Sequence, residues 1–198
     1  MTFEQTNGST DLTNDELHDL KIKFITTQQE LDAAEQMNIA EALLWCESKK
    51  FSITQILDIL FFNKLHKLMF KNVWKWAGRY RTTGKNIGVE AYKITTELKN
   101  LIDNTYYQIN HCTYSDIEIL TRFHHQLVWV HPFPNGNGRH ARIITDLLAK
   151  VILNNKLTWG GFKLGDYKAS KKLRDDYIYA LRQADNGNYN PLMKFINS

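Results

Sequence analysis

His131-Pro-Phe-Pro-Asn135-Gly-Asn-Gly-Arg139-His-Ala-Arg142 brings together an imidazole, a Gly-Asn-Gly turn and two arginines within twelve positions. These are the parts of an anion-binding site with a base beside it. Glycine lets a ligand approach the backbone closely, and the first amides of a helix attract phosphate. Guanidinium forks match phosphate oxygens, and an imidazole with an ordinary pKa of about 6.5 is available as a neutral base. Each part also has an ordinary reading. The turn could join two helices and bind nothing. Arg142 and Asp146 could pair at i, i+4 on a solvated face, and His131 could be a cation at a helix end. Their coincidence in one short stretch favours the site.

The flanks give this stretch a fold. Leu120, Phe123, Leu127 and Val130 recur with helical spacing, as one buried face. Ser115 with Glu118 reads as a capping box that starts this helix near Asp116. Pro132 and Pro134 cannot continue it, so His131 falls at its last turn or just beyond. Ala141, Ile144, Leu148 and Val151 mark a second helix after the turn, with Arg139, Arg142 and Asp146 on another side of it. Further helices are expected at about 28–48, 53–71, 95–110 and 167–184, with a short one after Pro191. The fold class is all-α, and residues 1–25 form a polar, flexible start to one domain over 26–198.

The stretch resembles the signature of the Fic (Fido-domain) family, H-x-F-x-[D/E]-G-N-G-R-x-x-R. His131, Phe133, Gly136, Asn137, Gly138, Arg139 and Arg142 agree with it, and Asn135 stands at the Asp/Glu position. Trp74-Lys-Trp-Ala-Gly-Arg-Tyr-Arg81, the pairs Leu65-His66 and Met69-Phe70, and the run Arg122 to His131 also look like segments of that family. Phe123-His124-His125 through Arg142, Lys85-Asn-Ile-Gly-Val89 and Thr158-Trp-Gly160 resemble its mobile mystery protein B subgroup. The resemblance spans about Thr26 to Tyr189. It implies a helical Fic-type domain whose short β-hairpin flap, about 80–90, covers the active-site loop 131–142.

The resemblance further implies protein adenylylation, with AMP moving from ATP to a Ser, Thr or Tyr hydroxyl of a target protein. Carried over, His131 is the base and Phe133 positions the loop. Gly136, Asn137, Gly138, Arg139 and Arg142 bind the nucleotide, and Asn135 is the candidate ligand for Mg²⁺. Because Mg²⁺ usually takes one or two carboxylates, Asn135 also opens an alternative, a nucleotide-binding regulator without transfer. A Doc-like kinase toxin is a second alternative; its signature carries a basic residue where this chain has Gly138. The flap, read as strands 80–83 and 87–89 around Gly84-Lys85-Asn86, is the expected docking edge for the target. Glu30 and Glu35 are candidates for an inhibitory glutamate, which in the family pairs with the second arginine of the signature. Glu30 also completes a capping box with Thr27. A separate antitoxin is the other implied partner.

Composition excludes several classes. Net charge is +4, with no dense Lys/Arg run, which argues against a nucleic-acid-binding protein. Cys46 and Cys112 lack C-x-x-C partners. His124, His125, His131 and His140 lie near one another in sequence, but no carboxylate or thiolate completes a zinc set. With no apolar leader in the first 14 residues and no membrane-length apolar run, cytoplasmic residence is expected, and export as an effector by a dedicated machine fits the same sequence.

Overall fold

A computed structural model describes residues 18–25, 27–161 and 171–198. Its helices are α1 (Gln28–Glu47), α2 (Ile53–Ile56), α3 (Ile59–Phe70), α4 (Ile94–His111), α5 (Asp116–Val130), α6 (Asn137–Ile152), α7 (Lys171–Asp185) and α8 (Asn190–Ile196). Single 3₁₀ turns occupy Ala91–Lys93 and Trp159–Gly161. Among the described residues there is no strand, only one isolated antiparallel bridge between Leu20 and Trp74. None of the described helices is long and apolar enough to cross a membrane.

Helices α5 and α6 form the centre. They pack on each other, α4 packs on α5, and α2 and α3 contact α6. Helix α1 lies on α3, and α7 pairs with α8. The expected stripe on α5 is buried, with Leu120, Phe123, Leu127 and Val130 at most 1% exposed. On α6 Ala141, Ile144 and Leu148 are fully buried, while Val151 at 40% exposure runs off the end of the stripe. Each large apolar side chain in such a core contributes about 1.5–3 kcal/mol. This pair of helices holds both ends of the signature loop.

Three local expectations are corrected. The helix expected over 53–71 breaks at Leu57–Asp58, because the Asp58 carboxylate accepts from Leu60 N–H (2.6 Å) and opens α3 as a new N-cap. The capping box at Ser115 does not close: Ser115 is the N-cap without a side-chain bond, and Glu118 turns to Arg122 at 2.7 Å. The flap is not a hairpin. Residues 80–90 form an irregular loop without paired strands, because their backbone bonds go to the signature segment: Arg81 N–H to Pro132 O at 3.0 Å and Val89 N–H to Val130 O at 3.4 Å.

The expected flexible start reaches Ile25. Residues 1–17 lie outside the described residues, and 18–25 are held down: Lys21 N–H bonds Val73 O, Asp19 O accepts from Lys75 N–H, and Ile25 is 3% exposed. Residues 167–170 of the helix expected at 167–184, and Thr26, also lie outside the described residues.

Candidate active-site loop

Helix α5 ends at His131, whose backbone is left-handed (φ 51°, ψ 59°). A non-glycine residue held there is strained by roughly 1 kcal/mol or more. The surroundings that hold it are visible. The Arg81 guanidinium donates to His131 O (2.7 Å), Thr83 O (3.0 Å), Val130 O (3.4 Å) and, at short range, Val89 O. A cation thus ties both ends of the flap to the residue that starts the loop. At Gly88 (φ 94°) an added Cβ would lie 2.5 Å from the His131 Cβ, so the flap covers the imidazole as closely as glycine permits.

Phe133 is fully buried and stacks on His66 (centroids 3.6 Å apart, planes 7° apart). Asn137 closes the loop in both directions: its Oδ1 accepts from Phe133 N–H (2.9 Å) and its Nδ2 donates to Phe133 O (2.8 Å). Asn135 Oδ1 accepts from Gly136 N–H at 2.7 Å. His66 fixes the next peptide. Its Nδ1 accepts from Gly78 N–H (3.0 Å), so the proton sits on Nε2, which donates to Asn135 O (3.1 Å). Burial, chiefly, holds the His66 pKa well below the usual imidazole value, which matches a ring that both accepts and donates.

The two glycines differ. Gly136 is the N-cap of α6 at φ 77°, and a Cβ there would lie 2.4 Å from the Phe70 ring. Backbone and packing both require it. Gly138 has neither reason: an added Cβ would meet only the Tyr177 hydroxyl, at 3.9 Å. The amides of Asn137, Gly138 and Arg139 precede the first intrahelical bond, His140 N–H to Gly136 O at 2.9 Å.

His131 is 5% exposed. Desolvation first, then the Arg81 and Lys85 charges, lower its pKa to about 4, so the ring is neutral at physiological pH. Arg139 and Arg142 are half-buried on α6. The Arg142 guanidinium lies 5.7 Å from the Tyr177 ring centroid, and the Tyr177 hydroxyl bonds His124 Nε2 at 2.8 Å. Asp146 is buried rather than on a solvated face; it accepts from Trp159 Nε1 (2.9 Å), and burial lifts its pKa to about 6.

Glu35 is the carboxylate that reaches the signature. It is 4% exposed, with Oε2 2.6 Å from Arg139 Nη1 and Oε1 accepting from Trp74 Nε1 at 2.5 Å. It therefore meets Arg139, the first arginine of the signature. Glu30 closes the capping box of α1 with Thr27.

Sequence reasoning gave no role to His66 or Arg81. His66 acts on a residue 69 positions away and Arg81 on one 50 positions away, so no local spacing marks them. Their only trace was their place in the Leu65-His66 and Trp74–Arg81 segments.

The loop does not fit a divalent cation at position 135. Asn135 offers one neutral oxygen, already bonded to Gly136 N–H, and no group of three or more His, Cys, Asp or Glu among the described residues could hold a metal. Mg²⁺ normally takes at least one carboxylate.

Residues 56–149 match the model of the Fic/DOC family. The chain is 25% identical over 170 residues to a protein from Nematostella vectensis named protein adenylyltransferase Fic, covering 84% of this chain and 38% of that protein. It is 28% identical over 160 residues to protein adenylyltransferase fic-1 of Caenorhabditis elegans, covering 78% and 28%. The chain thus spans well under half the length of these two relatives. Its fold is that of BepC from Bartonella tribocorum, solved with bound AMPPNP: the TM-score is 0.68 at 19% identity, covering 96% of this chain and 92% of that one. The match to the Fic/DOC family model covers a little under half of this chain.

Proposed function

We propose that this protein moves AMP from ATP to a Ser, Thr or Tyr hydroxyl of a target protein. The match of residues 56–149 to the Fic/DOC model and the two similar proteins named adenylyltransferases support transfer chemistry at family level. The observation that carries the reading is Gly138. It is a glycine that neither backbone nor packing requires, placed among the first amides of α6, one turn from Arg142 and in the same loop as a neutral His131. Its missing side chain leaves room for a ligand at that helix end.

In the reaction, His131 takes the proton of the target hydroxyl as its oxygen attacks the α-phosphorus. The bond from the α-phosphorus to the bridging oxygen breaks, and pyrophosphate leaves with that electron pair. The amides of Asn137, Gly138 and Arg139 and the two guanidinium groups meet charge on the phosphates. Phe133, locked on His66, fixes the distance between base and amides. The target protein docks on residues 80–90. The resemblance also implies Mg²⁺ with the nucleotide, and no step here is routed through it. Membership of the mobile mystery protein B subgroup is the finer form of the same reading.

Glu35 regulates the site in this reading. A carboxylate 2.6 Å from Arg139 competes with phosphate for that guanidinium and must release it when nucleotide binds. A second reading, a regulator that binds nucleotide without transfer, is favoured by one observation, the amide at Asn135.

The test is incubation of the full chain and a cell lysate with ATP labelled at the α- or the γ-phosphate. Label arriving from α and not γ supports adenylylation. Label from γ means a kinase, and nucleotide binding without either label means a regulator.

A further inference from the structure

We infer that Asn135 is a direct hydrogen-bond donor to a phosphate oxygen of the nucleotide, and that the loop binds nucleotide without a divalent cation at that position. The inference rests on the nucleotide-binding reading above. It concerns how the anion's charge is met.

A side-chain carboxamide has one acceptor and one donor atom, and their assignment follows from the partner. Here the partner is Gly136 N–H, which can only donate, so the atom 2.7 Å from it is Oδ1. The other terminal atom is then Nδ2, with two N–H groups and no lone pair. It has no protein partner among the described residues, and Asn135 is half-buried. The backbone of Asn135 is fixed as well, because its carbonyl accepts from His66 Nε2, whose ring is stacked on Phe133 and anchored by Gly78 N–H.

An aspartate in this geometry would place one oxygen on Gly136 N–H and present the other, negatively charged, to a metal. In this chain the second position is a donor. It repels a cation and suits an anion, beside the same helix end where the amides of Asn137, Gly138 and Arg139 point. The Glu35 carboxylate, which meets Arg139 in the signature, is held by that arginine and Trp74. Position 135 has therefore changed sides, from holding the cation to holding the phosphate itself.

Isothermal titration of the full chain with ATP, in excess chelator and in excess Mg²⁺, tests this. Wild-type affinity is expected to agree within about threefold between the two conditions. Asn135→Ala loses about tenfold in chelator, the size of one hydrogen bond to a charged group. Asn135→Asp keeps the acceptor for Gly136 N–H, so its loop stays closed. It loses more than about tenfold in chelator through repulsion of phosphate, and Mg²⁺ restores it. Wild-type binding that needs Mg²⁺, or equal affinity of wild type and Asn135→Ala in chelator, overturns the inference. A fall in melting temperature of Asn135→Ala without one in Asn135→Asp assigns that variant's loss to the loop, and the aspartate variant then decides alone: no gain with Mg²⁺ counts against the inference. Failure of the transfer reading looks different, as wild-type binding that agrees in both conditions with no label transferred. Absence of ATP binding in either condition overturns both.

Discussion

Residues 131–137 close on themselves, whereas residues 80–90 close on residues 130–132. In the loop, Asn137 bonds Phe133 in both directions and Asn135 bonds Gly136. In the flap, the cross-bonds run from Arg81 and Val89 to Val130, His131 and Pro132. A segment that satisfies its polar groups locally carries its conformation in its own sequence. A segment that satisfies them at a distance takes its conformation from its partner. The flap is thus a part of the loop's environment, while the loop closes through its own asparagines and is anchored from outside by Arg81 and His66.

Removing Arg81 should break the comparison most severely. Arg81→Ala takes the guanidinium donor from the carbonyls of Val89 and His131 in a buried place and frees the left-handed His131. Stability should fall by about 3–5 kcal/mol, read by denaturant unfolding, with faster amide exchange at both Arg81's neighbours in the flap and residues 130–132. Faster exchange in the flap alone would mean that the loop does not depend on it.

Asn137→Ala should act on the loop and spare the flap. Two buried backbone groups of Phe133 lose their partners, which costs about 2–4 kcal/mol, and nucleotide affinity should drop because the amides of α6 lose their placement. Unchanged stability would show that the loop is held from outside after all.

Acid should act on both regions through buried imidazoles. Desolvation holds His131 and His140 at about 4, His124 at about 3, and His66 well below its usual value. The unfolded chain protonates these rings below about pH 6.5, while the folded chain resists until about 4. The unfolded state therefore binds more protons in that window, and stability falls as pH drops from about 6.5 towards 4. Asp146, raised to about 6 by burial, opposes this as a single group. Melting temperatures that stay level or rise from pH about 7 to about 5 would contradict the assignment.

The smallest expected effect lies outside both regions. Glu35→Gln keeps an acceptor for Trp74 Nε1 and removes the charge facing Arg139. ATP affinity should rise about three- to tenfold with little change in stability. Weaker binding would make Glu35 a support for Arg139 rather than a competitor of phosphate.

The same contrast explains what the sequence disclosed. The helices flanking the signature followed from apolar spacing, and the position of His131 followed from Pro132. The loop was legible because the side-chain bonds of Asn135 and Asn137 lie within four residues. The flap was misread as a hairpin because Gly84-Lys85-Asn86 between β-formers is a local signal, and the side chain that overrides it, Arg81, finds its acceptors some 50 residues away. His66 escaped for the same reason. The break at Asp58 was missed because a side-chain cap outcompeted a continuous helical pattern, and the contact of Glu35 with Arg139 was not legible because the fold alone sets that distance.

In the proposed function His131 acts as the base of a nucleotidyl transfer in this loop. Mass spectrometry of the full chain and candidate substrates after incubation with ATP tests it most directly, with wild type beside His131→Ala. An adenylyl group is expected on a Ser, Thr or Tyr with wild type and none with His131→Ala, which should bind ATP about as tightly as wild type. Adenylylation that persists in His131→Ala, or a phosphoryl group in place of the adenylyl group, would contradict it.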